Sequence, residues 1–246
     1  HTLTEAQKET LQAEASVRKI EREQQIQEQR AKAMKRAYAK WMNAEPSKEH
    51  IYLKEKGVAG YGLKQDSRGN LLIPGFDLRT GYIQTLQWIE PNGTKRFESG
   101  CPQHGAALVI PSPEFSDNGE IFLAEGYATA ASIHMATGHT VVAAFTAHNL
   151  LPVAEILREQ YPDSEITICA DNDHHLVEQI NGTTIGNVGM KKAKEAAEAI
   201  GANVVAPSFN REEMVKRCTD FNDLHKSRGL DAVAKQVNAQ VVEVER

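Results

Sequence analysis

Residues 3–44 contain neither glycine nor proline and are rich in Ala, Glu, Gln, Lys and Arg, the residues that lose least on entering a helix. Glu14–Arg18 and Glu28–Lys32 stand four apart with the acid first, the favourable order on a helix face. The apolar stripe is thin until Met34, Ala37, Tyr38 and Trp41, which share one face. The pattern predicts one long exposed helix whose last turns dock on the body. Between 47 and 115 the period changes. "LLIPGFD" and "YIQTLQWIE" are β-rich runs bounded by Arg-Gly-Asn, Arg-Thr-Gly and Pro-Asn-Gly, which read as turns. They predict a small meander ending in the basic loop "GTKRFESG", a unit that needs a neighbour to pack on. From Ile121 the strand-like runs "IFLA", "TVVAAF", "EITICA" and "NVVA" alternate with helical stretches at 127–137, 149–160 and 189–200. That alternation predicts an α/β unit with a parallel sheet covered by helices on both faces. Three segments follow: a charged helix over 1–45, a β-rich basic unit over 46–118 and the α/β unit over 119–246.

The chemistry clusters at the ends of those strands, where open α/β sheets gather their ligands. Glu125 follows "IFLA" directly, and Asp171 and Asp173 follow "ITICA". If these strands are neighbours, the three carboxylates converge. Alternation turns Asp171 and Asp173 to one side and Asn172 to the other. Such a cluster resists full ionisation unless a cation joins it, and an all-oxygen donor set suits Mg²⁺ or Mn²⁺. Gly126 permits a tight strand-to-helix turn. Asp220 and Asp223 in "TDFNDLH" read either as further metal ligands or as part of a helix cap, with Asn222 or Asp223 starting the helix. Lys191 and Lys192, after Gly189, begin a helix whose N-terminus suits phosphate; they serve equally as surface lysines. His174 and His175 read as loop groups.

Charge has to be divided before it informs. The net charge is −5, but residues 1–40 carry nine Lys/Arg against six Glu, which leaves −8 on the rest. Five basic residues and no acid lie between Arg30 and Lys40, either a solvated face or a nucleic-acid contact. An acidic body is compatible with nucleic acid when part of the acid is a metal site. Cys101, Cys169 and Cys218 are far apart and form no CxxC, which excludes a disulfide framework. Cys101 and His104 have the spacing of half a zinc knuckle, and no second half is visible. No apolar run reaches the length of a membrane span and no signal peptide is visible, so a cytoplasmic location is expected. A chain opening on His1 reads as a fragment of something longer.

These motifs resemble a known family. "IFLAEGYATAASI" and "ITICADNDHH" resemble the glutamate and D-x-D motifs of Toprim domains, the fold shared by bacterial-type primases, topoisomerases and some nucleases. "LLIPGFDLRTGYIQTLQWIEPNGTKRFESG" resembles the segment that precedes Toprim in bacterial replicative primases, and "TDFNDLHKSRG" the acidic segment that closes it. The likeness covers about residues 47–235 and is closest to primase modules of plasmids, conjugative elements and phages. It implies a Toprim-type fold and a nucleotidyltransferase making short RNA primers on single-stranded DNA from nucleoside triphosphates. It assigns acid–base or metal work to Glu125 and Mg²⁺ or Mn²⁺ to Asp171 and Asp173. Lys95 and Arg96 of the "KRF" loop are assigned to template or nucleotide phosphates. A Toprim nuclease and a non-catalytic nucleic-acid-binding fragment are the competing readings. Two departures stand out: a long insertion after Asp173 leaves Gly186 and Gly189 competing for the family's glycine, and the closing aspartates are spaced by three. With no zinc-binding domain or helicase motif in the chain, a helicase or other replication or conjugation partner is implied.

Overall fold

In the computed structural model, which describes residues 5–47, 49–114, 116, 118–174, 178–180 and 183–241, the chain opens with α1 (Glu5–Met42). There follow β1 (Glu45–Pro46), α2 (Ile51–Lys56), β2 (Lys64–Gln65), β3 (Leu71–Asp77), β4 (Ile83–Ile89), β5 (Lys95–Phe97) and β6 (Ala106–Ile110). The second half contains β7 (Ile121–Ala124), α3 (Tyr127–Thr137), β8 (Thr140–Ala143), α4 (Leu150–Gln160) and β9 (Ile166–Cys169). It continues with the hairpin β10 (Glu178–Ile180) and β11 (Thr183–Ile185), α5 (Val188–Ile200), β12 (Asn203–Val205), α6 (Arg211–Val215), α7 (Phe221–Arg228) and α8 (Leu230–Val241).

Every residue of β7, β8 and β9 is buried, as a sheet covered on both faces demands. These strands run in the order β6-β8-β7-β9-β12. β7 is parallel to both β8 and β9, β12 is parallel to β9, and β6 alone runs antiparallel, against β8. Alternate strand residues face opposite ways, so two cores form. Phe122, Ala124, Val141 and Ala143 pack with α3, α7 and α8 through Ile133, Phe221, Leu224, Val233 and Val237. Ile121, Leu123, Val142 and Ile168 pack with α4 and α5 through Val153, Leu157, Ala193 and Ala197. The mixed α/β fold, with its mostly parallel sheet and long leading helix, is the one the sequence pattern predicts.

The β-rich stretch does not stand apart from this sheet. β3 pairs with β2, β4 and β6, so one ten-stranded sheet runs from β1 to β12, with β4 and β5 branching from β3. The joint is short: Phe76 opposite Ala107 and Asp77 opposite Ala106, next to a bulge between Gly75 and Phe76. A Cβ at Gly75 would come within 2.6 Å of Thr85 Cγ2, so only glycine fits there. α1 is exposed along 11–32 and docks by its final turns, where fully buried Ala33 and Ala37 meet Leu72 and Leu86. Buried Glu98 accepts from Lys40 Nζ at 2.6 Å and from Arg36 Nε at 3.2 Å. No helix among the described residues is long and apolar enough to cross a membrane.

Asn149, buried at the head of α4, bolts β6 to the end of β8. Its Nδ2 donates to Ala106 O and Ala144 O, each at 2.8 Å, and its Oδ1 accepts from Gly105 N at 2.7 Å. Asn149→Ala leaves three buried backbone groups unmatched and should cost roughly 2–4 kcal/mol, read as a lower urea midpoint at unchanged m-value.

Candidate active site

The parallel register sets the acidic centre. Ala124 of β7 lies opposite Cys169 of β9, so Glu125 and the Asp171–Asp173 loop leave the sheet side by side at its carboxyl edge. The Asn172 side chain turns away: its Nδ2 donates to Pro207 O at 3.3 Å, and Asn187 Nδ2 donates to its Oδ1 at 2.9 Å. Asn187 also accepts from Asp173 N at 3.2 Å and caps α5 through Met190 N at 3.1 Å. Asn187 therefore clamps the loop that carries both aspartates. Gly189 packs against that loop, where a Cβ would sit 2.9 Å from Asp171 O, whereas Gly186 has open space around it. Gly189 is thus the glycine the D-x-D loop requires.

A fourth carboxylate arrives from α7. Asp220, not Asn222 or Asp223, caps that helix: its Oδ1 accepts from Asp223 N at 2.8 Å. The helix consequently starts at Phe221, earlier than the sequence suggested, because Asp220 is extended and can reach back to its third amide. The cap residue also lies beside the acidic cluster, where its charge acts on Asp171. Asp220 is nearest in effect to Asp171, and Thr129 of α3 donates to it. Asp223 is used locally, accepting from Thr219 N at 2.8 Å, while Thr219 O receives Asn172 N at 2.8 Å.

Electrostatically the cluster is under tension. Burial, then Asp220, Glu125 and Asp173, push the Asp171 carboxyl well above the usual carboxylate range. Burial and Asp173 raise Glu125, against a backbone N–H of Ala147 that favours its ionised form. Burial and Asp223 raise Asp220. Asp171 Oδ1 is out of solvent reach with no hydrogen-bond partner.

Lys95 faces this cluster and Arg96 does not. β5 pairs Lys95 with Ile89 and Arg96 with Trp88, so the two cations point to opposite sides of one strand. The Lys95 ammonium lies 5.7 Å from the centroid of the Tyr52 ring. It keeps a water-accessible flank, yet enough protein surrounds it that burial, and then Lys56, lower its pKa, against the pull of Asp220, Glu125 and Asp171. Arg96 binds Glu90 at 2.9 Å. It lines a groove of about 970 Å³ with Arg36, Lys40, Arg68, Trp88 and Asn92, between α1 and the meander. Lys191 and Lys192 go elsewhere, to Glu195 on their own helix; Lys192 Nζ reaches it at 2.6 Å. His174 Nδ1 bonds Asn172 O at 3.0 Å, and His175 lies outside the described residues. Sequence reasoning missed α2, which brings Tyr52 and Lys56 to the centre one helical turn apart. Both act on Asp220. An apolar-charged "IYLKEK" run flanked by β signals was the only sign of it.

Among the described residues, no three His, Cys, Asp or Glu side chains close on a single ion. What fits the arrangement is a hard divalent ion gripped by one or two carboxylates and completed by water and phosphate oxygens, the usual habit of Mg²⁺. The unpartnered Asp171 oxygen and the mutual repulsion of its neighbours supply the need for a counter-charge.

Residues 120–231 match the family model of the Toprim domain. The α/β part of the chain has a Toprim-type fold. The Toprim sheet is β7-β8-β9-β12 with its flanking helices, and both acidic motifs fall within the match. Two proteins of Escherichia coli, each named DNA primase TraC, are similar: 30% identity across 100% of this chain and 21% of the relative, and 33% across 85% and 20%. The chain therefore spans about a fifth of the length of these relatives. Two solved structures share the fold at low identity. The primase fragment of the bacteriophage T7 primase-helicase protein matches with a TM-score of 0.56 and 13% identity, covering 80% of this chain and 77% of that one. A DnaG primase catalytic domain bound to single-stranded DNA matches with a TM-score of 0.52 and 10% identity, covering 87% and 82%.

Because burial and like charge raise the Asp171 pKa in the fold, its contribution to stability is lost as pH rises through that raised value. In metal-free buffer at pH 8, Asp171→Asn should therefore melt higher than the wild type, by roughly 2–4 °C for each kcal/mol of repulsion relieved. The gain should fade as pH falls toward the ordinary carboxylate range, where the wild-type group is protonated. Added Mg²⁺ should raise the wild type more than the variant. A variant that melts lower at every pH would remove the repulsion argument.

Proposed function

We propose that this chain is the catalytic core of a DNA primase, joining nucleoside triphosphates into short RNA primers on single-stranded DNA. The observation that carries the reading is the meeting of Lys95 with Glu125, Asp171 and Asp220 at one sheet edge, a paired arrangement of anion and cation that suits a metal-bridged triphosphate. In the reaction the primer 3′-oxygen bonds to the α-phosphorus of the incoming nucleotide. The bond from that phosphorus to the β-phosphate oxygen breaks, and pyrophosphate leaves. Glu125, whose proton affinity is raised, takes the hydroxyl proton; Lys95 and Lys56 hold the phosphates that carry away the charge. Asp171, Asp173 and Glu125, with Asp220 beside them, would hold Mg²⁺ or Mn²⁺ through one or two carboxylates per ion, and an ion there would supply neutralisation of the developing charge. Segment 46–118 then contributes cations and 119–246 carboxylates. The groove with Arg36, Arg68, Arg96 and Trp88 offers guanidinium groups for backbone phosphates and an aromatic face for a base, and so suits the template strand. The names of the TraC relatives and the fold shared with two primase structures support this choice over hydrolysis. A longer protein of a plasmid, phage or conjugative element, with a helicase or other replication partner, is the proposed context.

Primer synthesis from labelled nucleotides on mixed single-stranded DNA, with Mg²⁺ or Mn²⁺, tests this. Short products should form, and Asp171→Ala should abolish them. Lys95→Ala should cost about tenfold or more in kcat/KM for nucleotide, the effect of losing about 1.4 kcal/mol of transition-state binding. Arg96→Ala should instead weaken template binding and flatten its salt dependence by about one phosphate contact. Metal-dependent degradation of the template in place of synthesis would make the chain a nuclease.

A further inference from the structure

Phe145, two residues past the end of β8, has φ +70°. A non-glycine residue in the left-handed region costs on the order of 1–3 kcal/mol, and glycine would hold the same turn without that cost. The phenyl ring must therefore contribute something the turn alone does not need. It is buried, and it meets Phe97 edge-on at 5.8 Å between centroids and 80° between planes. It also fills the space beside Gly75, where a Cβ would lie 3.0 Å from the ring. Phe97 is two residues beyond Lys95 on β5, hence on the same side of that strand. The backbone of the same residue turns the chain into 146–149, where the Ala147 N–H donates to the Glu125 carboxylate.

We infer that Phe145 is a positioning residue that sets Lys95 against Glu125: its turn delivers an amide to the carboxylate, and its ring holds the strand that carries the lysine. The inference rests on the nucleotidyl-transfer reading for its kinetic consequence, and on geometry alone for the coupling itself. Phe145→Gly separates the two parts, since glycine keeps the turn and deletes the ring.

The test compares the wild-type chain, Phe145→Gly, Lys95→Ala and the double variant in primer synthesis. Native-state labelling with an amine-reactive reagent, read by mass spectrometry, follows Lys95 against exposed Lys35. Phe145→Gly should raise KM for nucleoside triphosphate about tenfold and change the Lys95 labelling rate several-fold, with Lys35 unmoved. In the Lys95→Ala background the same substitution should cost little more, because both remove one interaction. Phe97→Leu removes the ring contact from the other side and should reproduce the pattern should Phe145→Gly fail to fold. Additive losses, or unchanged Lys95 labelling in a folded variant, would overturn the coupling. A wild-type chain that makes no primers while the labelling shift persists would overturn the primase reading and leave the coupling standing.

Discussion

Like charges held close in a desolvated place are the constraint around which the rest of this molecule is arranged. On top of burial, Asp220, Glu125 and Asp173 raise the proton affinity of Asp171, Asp173 and Asp220 raise that of Glu125, and Asp223 raises that of Asp220. The neutral donors Ala147 N–H and Thr129 relieve this only in part. The rest of the relief comes as positive charge, which among the described residues the fold brings from the meander half. Lys95 arrives on β5 and Lys56 on α2, both from the meander half of the sheet. The surrounding hydrogen bonds serve to keep the acids where they repel. Asn187 clamps the aspartate loop, Thr129 steadies Asp220, and Ala147 holds Glu125. Such order costs stability and makes sense where a bound cation and phosphates return it.

The continuity of the sheet gives that geometry its stiffness. Acids come from β7, β9 and α7, and cations from β5 and α2, so their spacing depends on how firmly the two halves are joined. The direct strand contact between them is two residue pairs of β3 and β6. Gly75, Phe145, Phe97 and Asn149 surround that joint and compensate for its shortness. A loop-tethered arrangement would have left the lysine free to drift; a hydrogen-bonded sheet does not.

Much of this could be read in the chain itself. The buried strands of the Toprim half were legible because strands covered on both faces must be apolar throughout, and "IFLA" and "ITIC" are. The helix at 189–200 was legible from its periodicity, and the one at 127–137 from its place between two strand-like runs. The carboxylates could be placed because strand ends and the rule for open α/β sheets put them there. What could not be read was long-range. Nothing local in "IYLKEK" says that Tyr52 and Lys56 reach the acids. Asp220 looked ambiguous because capping and clustering use the same carboxylate. Lys191 and Lys192 were drawn to the reading by their place at a helix start, while their partner, Glu195, lies one turn further along the same helix. The fusion of the meander with the main sheet depended on strand 106–110 pairing with both β3 and β8, and pairing between strands distant in sequence leaves no local signal.

Lys95 and Arg96 are neighbours in sequence and strangers in space. Strand alternation sends the first toward the carboxylates and the second into the groove beside Trp88, so a three-residue strand is the partition between two compartments. Their identities are therefore bound to register. Removing one residue from the Asn92–Gly93 turn would exchange the two side chains between compartments without altering charge, composition or the length of β5. A flexible ammonium and a flat guanidinium would each then meet the chemistry suited to the other. In a chain of this kind a shortened turn is as consequential as a lost charge, and a comparison that counts basic residues without regard to their parity would not see it.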